Sequence, residues 1–378
     1  MWLEKEKKYL IQLFKRQKIL IERGDGCYVY DLDGKKYLDL IAGIASINIG
    51  HSDEEFVRRV CEQIGKLTHV SNLFYTIPQI QLAERLNEIT GMDKFFFCNS
   101  GTEAVEAALK FSRKSTKKKK FLAFTNSFHG RTMGALSVTY KEKFRRPFEP
   151  LLQDVEFAKF NDPEDFKKKI NKDFSAVILE LIQGEAGVYL AEKDFVRTIS
   201  DLRESYGYLI IFDEVQTGFG RTGKWFAKDH YKVQPDIMTM AKAMGNGIPI
   251  GCTAVMEEVA KNMEVGDHAS TFGGNPLACT ASLAVIDIIE KRNLIKNAEK
   301  VGNYLKKKLK ELSEDVRGLG LLLGFSVRDA FKVVEKCLEK GLLLNATSET
   351  NIRIAPPLCI TEKEVDLAIN VLKEVLET

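Results

Sequence analysis

Strand-length and helix-length patterns of apolar residues alternate from about residue 53 to residue 256. Short apolar runs end at polar or turn residues, and helix-length segments separate one run from the next. This alternation predicts an α/β fold with a mainly parallel, seven-stranded sheet, because parallel strands are joined by helical crossovers. The predicted strands cover residues 94–98, 121–125, 155–158, 176–181, 208–212, 237–241 and 252–256.

The N-terminal part shows a different pattern. Apolar positions at helical spacing predict a helix over residues 3–22. Asp33-Gly34 then separates two short strand patterns, residues 27–30 and 36–39, as in a β-hairpin. We expect this helix and hairpin, residues 1–52, to pack against the C-terminal part of the chain.

The C-terminal part begins with a predicted helix from Pro276 to about residue 291 and continues as a smaller α+β domain. A last helix begins at Thr361, where Glu364 completes a capping box. The chain therefore divides into residues 1–52, a large domain at 53–275 and a small domain at 276–378. The strands expected in the small domain cover residues 319–325, 342–345 and 351–354.

Two charged residues directly follow apolar strands of the predicted sheet. Asp213 follows residues 208–212, and Lys242 follows residues 237–241. Buried charges are costly unless they are paired or used, and ligands bind beyond the carboxyl ends of parallel strands. A lysine and an acid at such an edge suit pyridoxal phosphate, which needs an amine for an imine and an acid for its ring nitrogen.

Simpler interpretations of these two residues stay open at this point. Lys242 could be a lysine whose ammonium group reaches solvent from a strand end. Asp213 could cap a helix, or bind a metal ion together with Glu214. No histidine or ligand cluster lies nearby in the sequence, so we expect no metal site.

The turn Ser100-Gly101-Thr102 lies between the predicted strand 94–98 and a helix that extends to about residue 114. Backbone N–H groups at a helix N-terminus, with hydroxyl groups and a glycine, can bind a phosphate. Ser100 and Glu103 also match a plain capping box. Phosphate binding is favoured because Asp213 and Lys242 occupy other strand ends.

Three further segments carry charged or aromatic residues near predicted strands. In residues 128–131, Phe128 could stack on a planar cofactor and Arg131 could bind a carboxylate, although a core phenylalanine and a surface arginine would give the same pattern. Glu185 lies just beyond strand 176–181. Arg353 is flanked by apolar residues, so we expect it to be paired or functional.

The glycine-rich segment 218–224 resembles two nucleotide-binding motifs, the dinucleotide fingerprint and the P-loop. Each motif should follow its strand directly, but residues 213–217 intervene, and Trp225 stands where a P-loop needs Ser or Thr. We therefore reject a nucleotide site and with it an NAD-dependent oxidoreductase.

Composition and charge exclude several classes. The 56 basic and 53 acidic residues give a net charge of +3, and they are interspersed, so neither nucleic acid nor a membrane is an expected partner. The N-terminus does not fit a signal peptide, and no apolar run is long enough to span a membrane. The seven cysteines are scattered, which indicates buried free thiols and a reducing, cytoplasmic compartment.

Taken together, the motifs resemble those of class III aminotransferases of fold type I, and the resemblance covers nearly the whole chain. The matching segments are residues 37–39, 50–51, 99–103, 128–132, 213–218, Lys242, 270–276 and 316–320. The family implies pyridoxal 5′-phosphate as cofactor and a homodimer with shared active sites. A non-catalytic protein on this scaffold would have lost the lysine or the aspartate, and both are present.

The resemblance also implies a role for each site residue. Lys242 would bind the cofactor covalently and relay protons, and Asp213 would hold the ring nitrogen. The other expected cofactor contacts are Ser100, Gly101 and Thr102 at the phosphate, Phe128 on the ring, Gln216 at the phenolic oxygen, Glu214 and Val215 beside it, and Thr271 from the partner subunit.

For the substrates, the resemblance implies Ser270 and Arg131 as contacts, with Arg131 on a carboxylate. Glu185 and Arg353 would form a switch that is paired for the amino donor and open for 2-oxoglutarate. Ile44 occupies the position at which ornithine-specific members of the family carry a tyrosine. An apolar side chain there favours N2-acetylornithine, with ornithine, succinyldiaminopimelate and 4-aminobutyrate as the alternative donors.

Overall fold

A sheet of seven strands forms the centre of the molecule in a computed structural model that describes residues 2–377. All its pairings are parallel except the two made by Gly251–Val255, which is antiparallel to both neighbours. The predicted α/β fold with a mainly parallel sheet is therefore confirmed. The strands, in spatial order, are Lys94–Cys98, Gly251–Val255, Ile237–Met240, Leu209–Asp213, Phe174–Leu179, Lys120–Phe124 and Val155–Ala158.

Both faces of this sheet are covered. Along one strand, Phe121 and Ala123 belong to one apolar cluster, while Leu122 and Phe124 belong to another. Because successive side chains of a strand point to opposite faces, the two clusters are the two sides of the sheet. This double burial explains why the strands are continuous apolar runs rather than alternating patterns.

Helices of varied length pack around the sheet and continue into the C-terminal part. Among residues 2–377, no helix is both long and apolar enough to cross a bilayer. The α-helices are Trp2–Tyr9, Glu54–Ile64, Ile77–Thr90, Gly101–Thr116, Met133–Ser137, Glu142–Arg145, Pro163–Lys169, Lys193–Tyr206, Lys228–Tyr231, Glu257–Ala260, Pro276–Lys291, Leu294–Leu309, Ala330–Glu339 and Glu362–Leu376; Arg146–Phe148 and Lys242–Gly245 are 3-10 turns.

A second, four-stranded sheet joins the two ends of the chain. Its strands are Ile21–Asp25, Tyr28–Asp31, Lys36–Asp39 and Leu342–Leu343, in this order. The first three pair antiparallel, and the last pairs parallel to Lys36–Asp39. The predicted hairpin is confirmed, and it lies beside the C-terminal part. The division of the chain at residues 52 and 275 stays a prediction.

A third sheet belongs to the C-terminal part alone. Its strands run in the order Val316–Leu319, Leu322–Ser326, Asn351–Ile354 and Asn345–Ala346, all antiparallel. A small hairpin, Ile182–Gln183 with Tyr189–Leu190, completes the strands. The last helix begins with the predicted capping box of Thr361 and Glu364.

Three predicted elements were wrong in extent. The helix over residues 3–22 ends at Tyr9, and Ile21 already belongs to a strand. The single strand over 319–325 is a hairpin that turns at Gly320, whose φ of +54° breaks an extended strand. The strand over 342–345 is two short strands that pair in different sheets.

Candidate active site

Asp213 and Lys242 reach one cavity at the carboxyl edge of the central sheet. The strands that carry them are parallel neighbours, with Ile211 opposite Ile237. The cavity encloses about 390 Å³. The predicted site residues that line it are Ser100, Gly101, Thr102, Phe128, Arg131, Glu185, Asp213, Val215, Gln216 and Lys242.

The Asp213 carboxylate is held from three sides and is 5% exposed. One oxygen lies 2.7 Å from the Nδ1 atom of His129. The other accepts hydrogen bonds from the Thr239 hydroxyl and the Val215 N–H, both at 3.1 Å. His129 belongs to segment 128–132 of the family resemblance, but no sequence pattern predicted that its ring would contact Asp213. The carboxylate is thus fixed in orientation at the cavity wall.

Lys242 opens a 3-10 turn with a φ of +49°. A side chain larger than glycine in this left-handed region costs about 1 kcal/mol, a strain typical of functional positions. Burial lowers the pKa of the Lys242 amine, against the charge of Glu185. Arg353 adds to the lowering, while Asp213 and Glu180 oppose it. A lowered pKa leaves more neutral amine, the form that attacks a carbonyl.

The N-terminus of helix Gly101–Thr116 forms another wall of the cavity. Ser100 Oγ accepts from the Glu103 N–H, and the Glu103 carboxylate accepts from the Asn99 N–H at 2.7 Å. Ser100 therefore caps the helix, but Glu103 reaches the N–H of Asn99 and not that of Ser100, so the reciprocal capping box is not formed. The Ser100 cap leaves the N–H groups of Gly101 and Thr102 in the first turn, where a helix has no carbonyl to pair with them. Capping and anion binding are compatible here.

Phe128 is positioned by a carboxyl group that the sequence analysis missed. Its N–H donates to Glu180 Oε2 at 2.9 Å. Glu180 is buried at the cavity wall, and burial raises its pKa well above the usual range, with Asp213 adding to the effect. Arg131 is exposed, and its guanidinium carbon lies 3.6 Å from the ring centroid of Phe144. Glu180 directly follows the observed strand Phe174–Leu179, but the predicted strand 176–181 included it, so it was not recognised as a strand-end carboxyl group.

Glu185 and Arg353 are hydrogen bonded, although 168 positions separate them. Arg353 is 3% exposed. It also donates to Gln216 Oε1 at 3.3 Å and to Asn345 Oδ1 at 2.9 Å. Burial alone would raise the pKa of Glu185, but the charge and hydrogen bond of Arg353 lower it overall. The carboxylate therefore stays ionised against the buried cation.

Glu214 was expected beside the cofactor, but its carboxylate points away from the cavity. It accepts hydrogen bonds from the Thr217 hydroxyl and from the N–H groups of Ala227 and Lys228, the latter two at 3.0 and 2.8 Å. Burial raises its pKa to about 7. A residue that follows Asp213 directly along an extended strand end points to the opposite side, which explains the error.

Ser270 and Thr271 do not line the cavity. Ser270 connects to it indirectly, because its hydroxyl accepts from Asn99 Nδ2 at 3.2 Å and Asn99 lines the cavity. Thr271 is exposed on the surface. Neither residue touches the Asp213–Lys242 region within a single chain.

Ile44 belongs to a tight left-handed turn. All four residues of Ala42–Ala45 have φ between +48° and +62°. The Ile44 side chain is 42% exposed, and Ser46, two positions later, lines the cavity. Ile44 thus lies near the cavity without forming its wall.

In the glycine-rich segment 218–224 the side chain of Arg221 points into the interior of the protein. Arg221 is fully buried, donates to the carbonyls of Leu321 and Pro356 and to the side chain of Asn48, and has its pKa lowered by burial to about 9. Glycines allow φ of +87° and +83° at positions 220 and 223. The segment therefore connects distant parts of the chain through Arg221 and does not form a phosphate-binding loop.

Fold and site together define a class of enzymes that carry out amine chemistry with a lysine and an acid at the edge of an α/β sheet. The chain belongs to the class III aminotransferase family, whose sequence profile matches residues 13–376. The resemblance deduced from the motifs is thereby confirmed.

Individual relatives extend over the whole chain. The acetylornithine aminotransferase of Archaeoglobus fulgidus is 62% identical over 371 residues, which are 98% of this chain and 99% of that protein. The acetylornithine aminotransferase of Methanocaldococcus jannaschii is 45% identical over 389 residues, 99% of this chain and 97% of the relative.

Solved structures share the fold. The ornithine aminotransferase of Toxoplasma gondii, with partial occupancy of PLP at its active site, superposes with a TM-score of 0.95 at 29% identity and covers 100% of this chain and 94% of its own. The acetylornithine aminotransferase of Elizabethkingia anophelis gives 0.90 at 32% identity, with 100% and 98% covered.

Proposed function

We propose that this aminotransferase moves the δ-amino group of N2-acetylornithine to 2-oxoglutarate, giving N-acetylglutamate 5-semialdehyde and glutamate. It would use pyridoxal 5′-phosphate and act in arginine biosynthesis, as a cytoplasmic homodimer. The observation that carries the proposal is the meeting of Lys242, Asp213 and Glu185 around one cavity, with Arg353 bound to Glu185 behind it. The identity of 62% to an acetylornithine aminotransferase supports the choice of donor.

The cavity walls suit a flat, phosphorylated ring. A Cβ atom added to Gly101 would lie 2.7 Å from Val215 Cγ1, so only glycine lets the helix N-terminus approach this side chain. A Cβ on Gly130 would meet Thr102 Oγ1 at 2.3 Å, which keeps the Phe128 segment close to the same helix end. Backbone N–H groups for a phosphate and apolar side chains for a ring therefore lie within one site.

Bound pyridoxal phosphate supplies an aldehyde that condenses with amines and a ring that withdraws electrons from the substrate carbon. Asp213, oriented by His129 and Thr239, would keep a proton on the ring nitrogen. Lys242 Nζ would accept a proton from the substrate carbon and return it to the C4′ carbon of the cofactor, as a general base and then acid. The lowered pKa of Lys242 suits this role.

The Glu185–Arg353 pair can serve two unlike substrates in turn. With the pair closed, Arg353 is neutralised, and the δ-amino end of a donor can enter beside Glu185 without meeting a free cation. With the pair open, Arg353 can bind the α-carboxylate of 2-oxoglutarate in bidentate fashion. Gln216 and Asn345 would keep Arg353 in place in both states.

Fold similarity does not discriminate between the donors, since an ornithine aminotransferase superposes at least as well as an acetylornithine aminotransferase. Half-reactions with N2-acetylornithine, ornithine, succinyldiaminopimelate and 4-aminobutyrate, followed by the absorbance of the cofactor, test the choice. We expect kcat/KM for N2-acetylornithine to exceed that for ornithine by about 100-fold, because a site shaped for an acyl group leaves a free ammonium unpaired. A dominant rate with ornithine would refute the donor, and no uptake of cofactor would refute the whole function.

An exposed apolar patch supports the homodimer. Asn72 Nδ2 donates to the carbonyls of Ser270 and Gly273 at 3.2 and 2.9 Å, so residues 72–80 and 270–273 lie side by side. Large apolar side chains of both segments face solvent in a single chain, which is unusual unless a partner covers them. They are Leu73, Phe74, Tyr75, Ile77, Ile80 and Phe272, between 57% and 95% exposed.

Complementation between subunits tests the role of Thr271 in a shared site. Lys242→Ala should abolish turnover, and Thr271→Ala should lower cofactor occupancy at limiting pyridoxal phosphate. When the two variants are unfolded and refolded together, half of the dimers are mixed, and each mixed dimer has one intact site. We expect about a quarter of the wild-type activity from the mixture if Thr271 serves the partner subunit. If Thr271 served its own subunit, mixing would restore nothing.

A further inference from the structure

Two cysteines from distant parts of the sequence are in contact. The Sγ atoms of Cys27 and Cys359 are 3.6 Å apart, although 332 positions separate the residues. Cys27 is 3% exposed, and Cys359 is half-buried. Both are free thiols in this structure.

Backbone hydrogen bonds hold the two thiols in this arrangement. Gly26 and His51 exchange a pair of N–H to carbonyl bonds of 3.0 and 2.8 Å, which fixes the segment before Cys27. Leu358 donates its N–H to the carbonyl of Asn48 at 2.7 Å, which fixes the segment before Cys359. Residues 48–51 therefore tie both thiols to one short stretch of backbone, and their contact is a built feature of the fold.

The two thiols differ in acidity. Their hydrogen bond lowers the pKa of Cys359, to which Arg292 also contributes, and the same contact raises the pKa of Cys27. Cys359 is thus both the more accessible and the more easily ionised of the two. Thiol–disulfide exchange requires such a thiolate as the first nucleophile and a second thiol close by.

We propose that Cys27 and Cys359 are a disulfide site, which closes when the folded protein meets a disulfide oxidant such as oxidised glutathione. The Cys359 thiolate attacks one sulfur of the oxidant and releases one thiol. Cys27 loses its proton, attacks the sulfur of Cys359 in the mixed disulfide and releases the second thiol. The protein loses two protons and two electrons, and the oxidant is reduced to two thiols.

Formation of the Cys27–Cys359 disulfide needs little movement of the two sulfur atoms and strongly constrains the unfolded chain. The sulfur atoms must approach by roughly 1.5 Å to reach the length of a disulfide bond. The link would close a loop that contains most of the chain, and loops of this length restrict the unfolded state the most. The site does not depend on the proposed function, because neither thiol lines the cavity.

The test treats the cofactor-loaded protein with oxidised glutathione, then blocks and counts the remaining thiols after unfolding. In a Cys61→Ser background, which has six cysteines, we expect the count to fall from six to four, with one peptide pair joining Cys27 to Cys359 and a melting temperature raised by about 4 °C. A Cys61→Ser background removes the exposed cysteine, which would otherwise link separate chains.

Single variants distinguish the mechanism from incidental oxidation. Cys27→Ser should trap one glutathione on Cys359, whereas Cys359→Ser should leave Cys27 unmodified, because Cys27 is buried. Cys279→Ala, at a buried thiol away from the pair, is the matched control and should still form the link. An unchanged count of six thiols, a link through other cysteines, or a link that forms only after urea unfolding would each overturn the proposal.

Discussion

Replacing Glu185 by Gln should change kcat/KM for the two substrates of the enzyme in opposite directions. The variant keeps the shape of the side chain but removes the carboxylate that neutralises Arg353. Arg353 is nearly inaccessible, and its remaining partners, Gln216 and Asn345, are uncharged. The cation would therefore stay in place without a countercharge.

The magnitude follows from the exposure of the pair. Two unit charges about 4 Å apart attract by about 4 kcal/mol at the effective dielectric constant of a partly buried site. The Glu185 side chain is 32% exposed, so solvent screening and the cost of desolvation reduce the net value to about 1.5 kcal/mol, which is roughly tenfold in rate. If the pair is the proposed switch, 2-oxoglutarate has to displace Glu185 from Arg353 in the wild type, but not in Glu185→Gln.

We therefore expect kcat/KM for 2-oxoglutarate to rise about tenfold in Glu185→Gln, and kcat/KM for the amino donor to fall by a similar factor, because the ammonium end meets a free cation. Rapid mixing of the separate half-reactions measures both. Because Arg353 lowers the pKa of Glu185, the contrast should persist from neutral to mildly acidic pH.

The control is Glu258→Gln, which removes an exposed carboxylate paired with Lys261 and should change neither rate. If Glu185→Gln changed both half-reactions by the same factor, or neither, the pair would not be a switch between substrates.

Substitutions at three other positions test separate parts of the structure. Ile44→Tyr should shift donor preference from N2-acetylornithine towards ornithine about tenfold, since a hydroxyl can pair with the free ammonium; an unchanged ratio in the donor panel would contradict this. Glu180→Gln should bind pyridoxal phosphate as the wild type does, whereas Glu180→Ala frees the Phe128 N–H and should weaken binding about tenfold by titration; equal affinities would refute the positioning role. Glu214 has a pKa raised to about 7, so its protonated form stabilises the fold below pH 4.5 and this contribution, about 3 kcal/mol, is lost as pH rises through 7; urea unfolding of Glu214→Gln should lack that pH dependence.

The central sheet could be predicted because its signal is local. Each strand is a short apolar run, and both of its faces are buried, so the pattern does not depend on which neighbour lies beside it. The same holds for residues at strand ends, where Asp213 and Lys242 were found. Glu180 lies at the end of the observed strand Phe174–Leu179 and was missed because the predicted strand 176–181 extended past it.

The N-terminal helix could not be bounded from sequence. Leu10, Ile11, Leu13 and Phe14 have helical spacing, but each is at least 53% exposed and buries nothing within the single chain. Helices are stabilised mainly by burial of an apolar face, and spacing alone does not show whether a surface is present to receive it. The helix stops at Tyr9, and none of its own residues is buried either.

Contacts between residues far apart in the sequence also could not be predicted from the pattern of apolar residues. The pairing of Glu185 with Arg353 came from family resemblance, and the bond from His129 to Asp213 and the contact of Cys27 with Cys359 came only from the structure. Nothing in local periodicity specifies which strand ends face each other across a cavity. These are the contacts on which the proposed chemistry depends.

The sheet that joins both ends of the chain sets an order for folding during synthesis. Leu38 leaves the ribosome about 300 residues before Leu342, its partner in the parallel pairing. At typical translation rates this interval lasts roughly 15–60 s, and all seven strands of the central sheet emerge within it. During this interval strand Lys36–Asp39 lacks its partner, and Tyr37 and Leu38, which are buried in the complete fold, are exposed at an unpaired sheet edge. The hairpin is thus synthesised early, but its sheet is completed only near the end of synthesis. For most of that time the growing chain carries an unpaired strand edge that can pair with other chains.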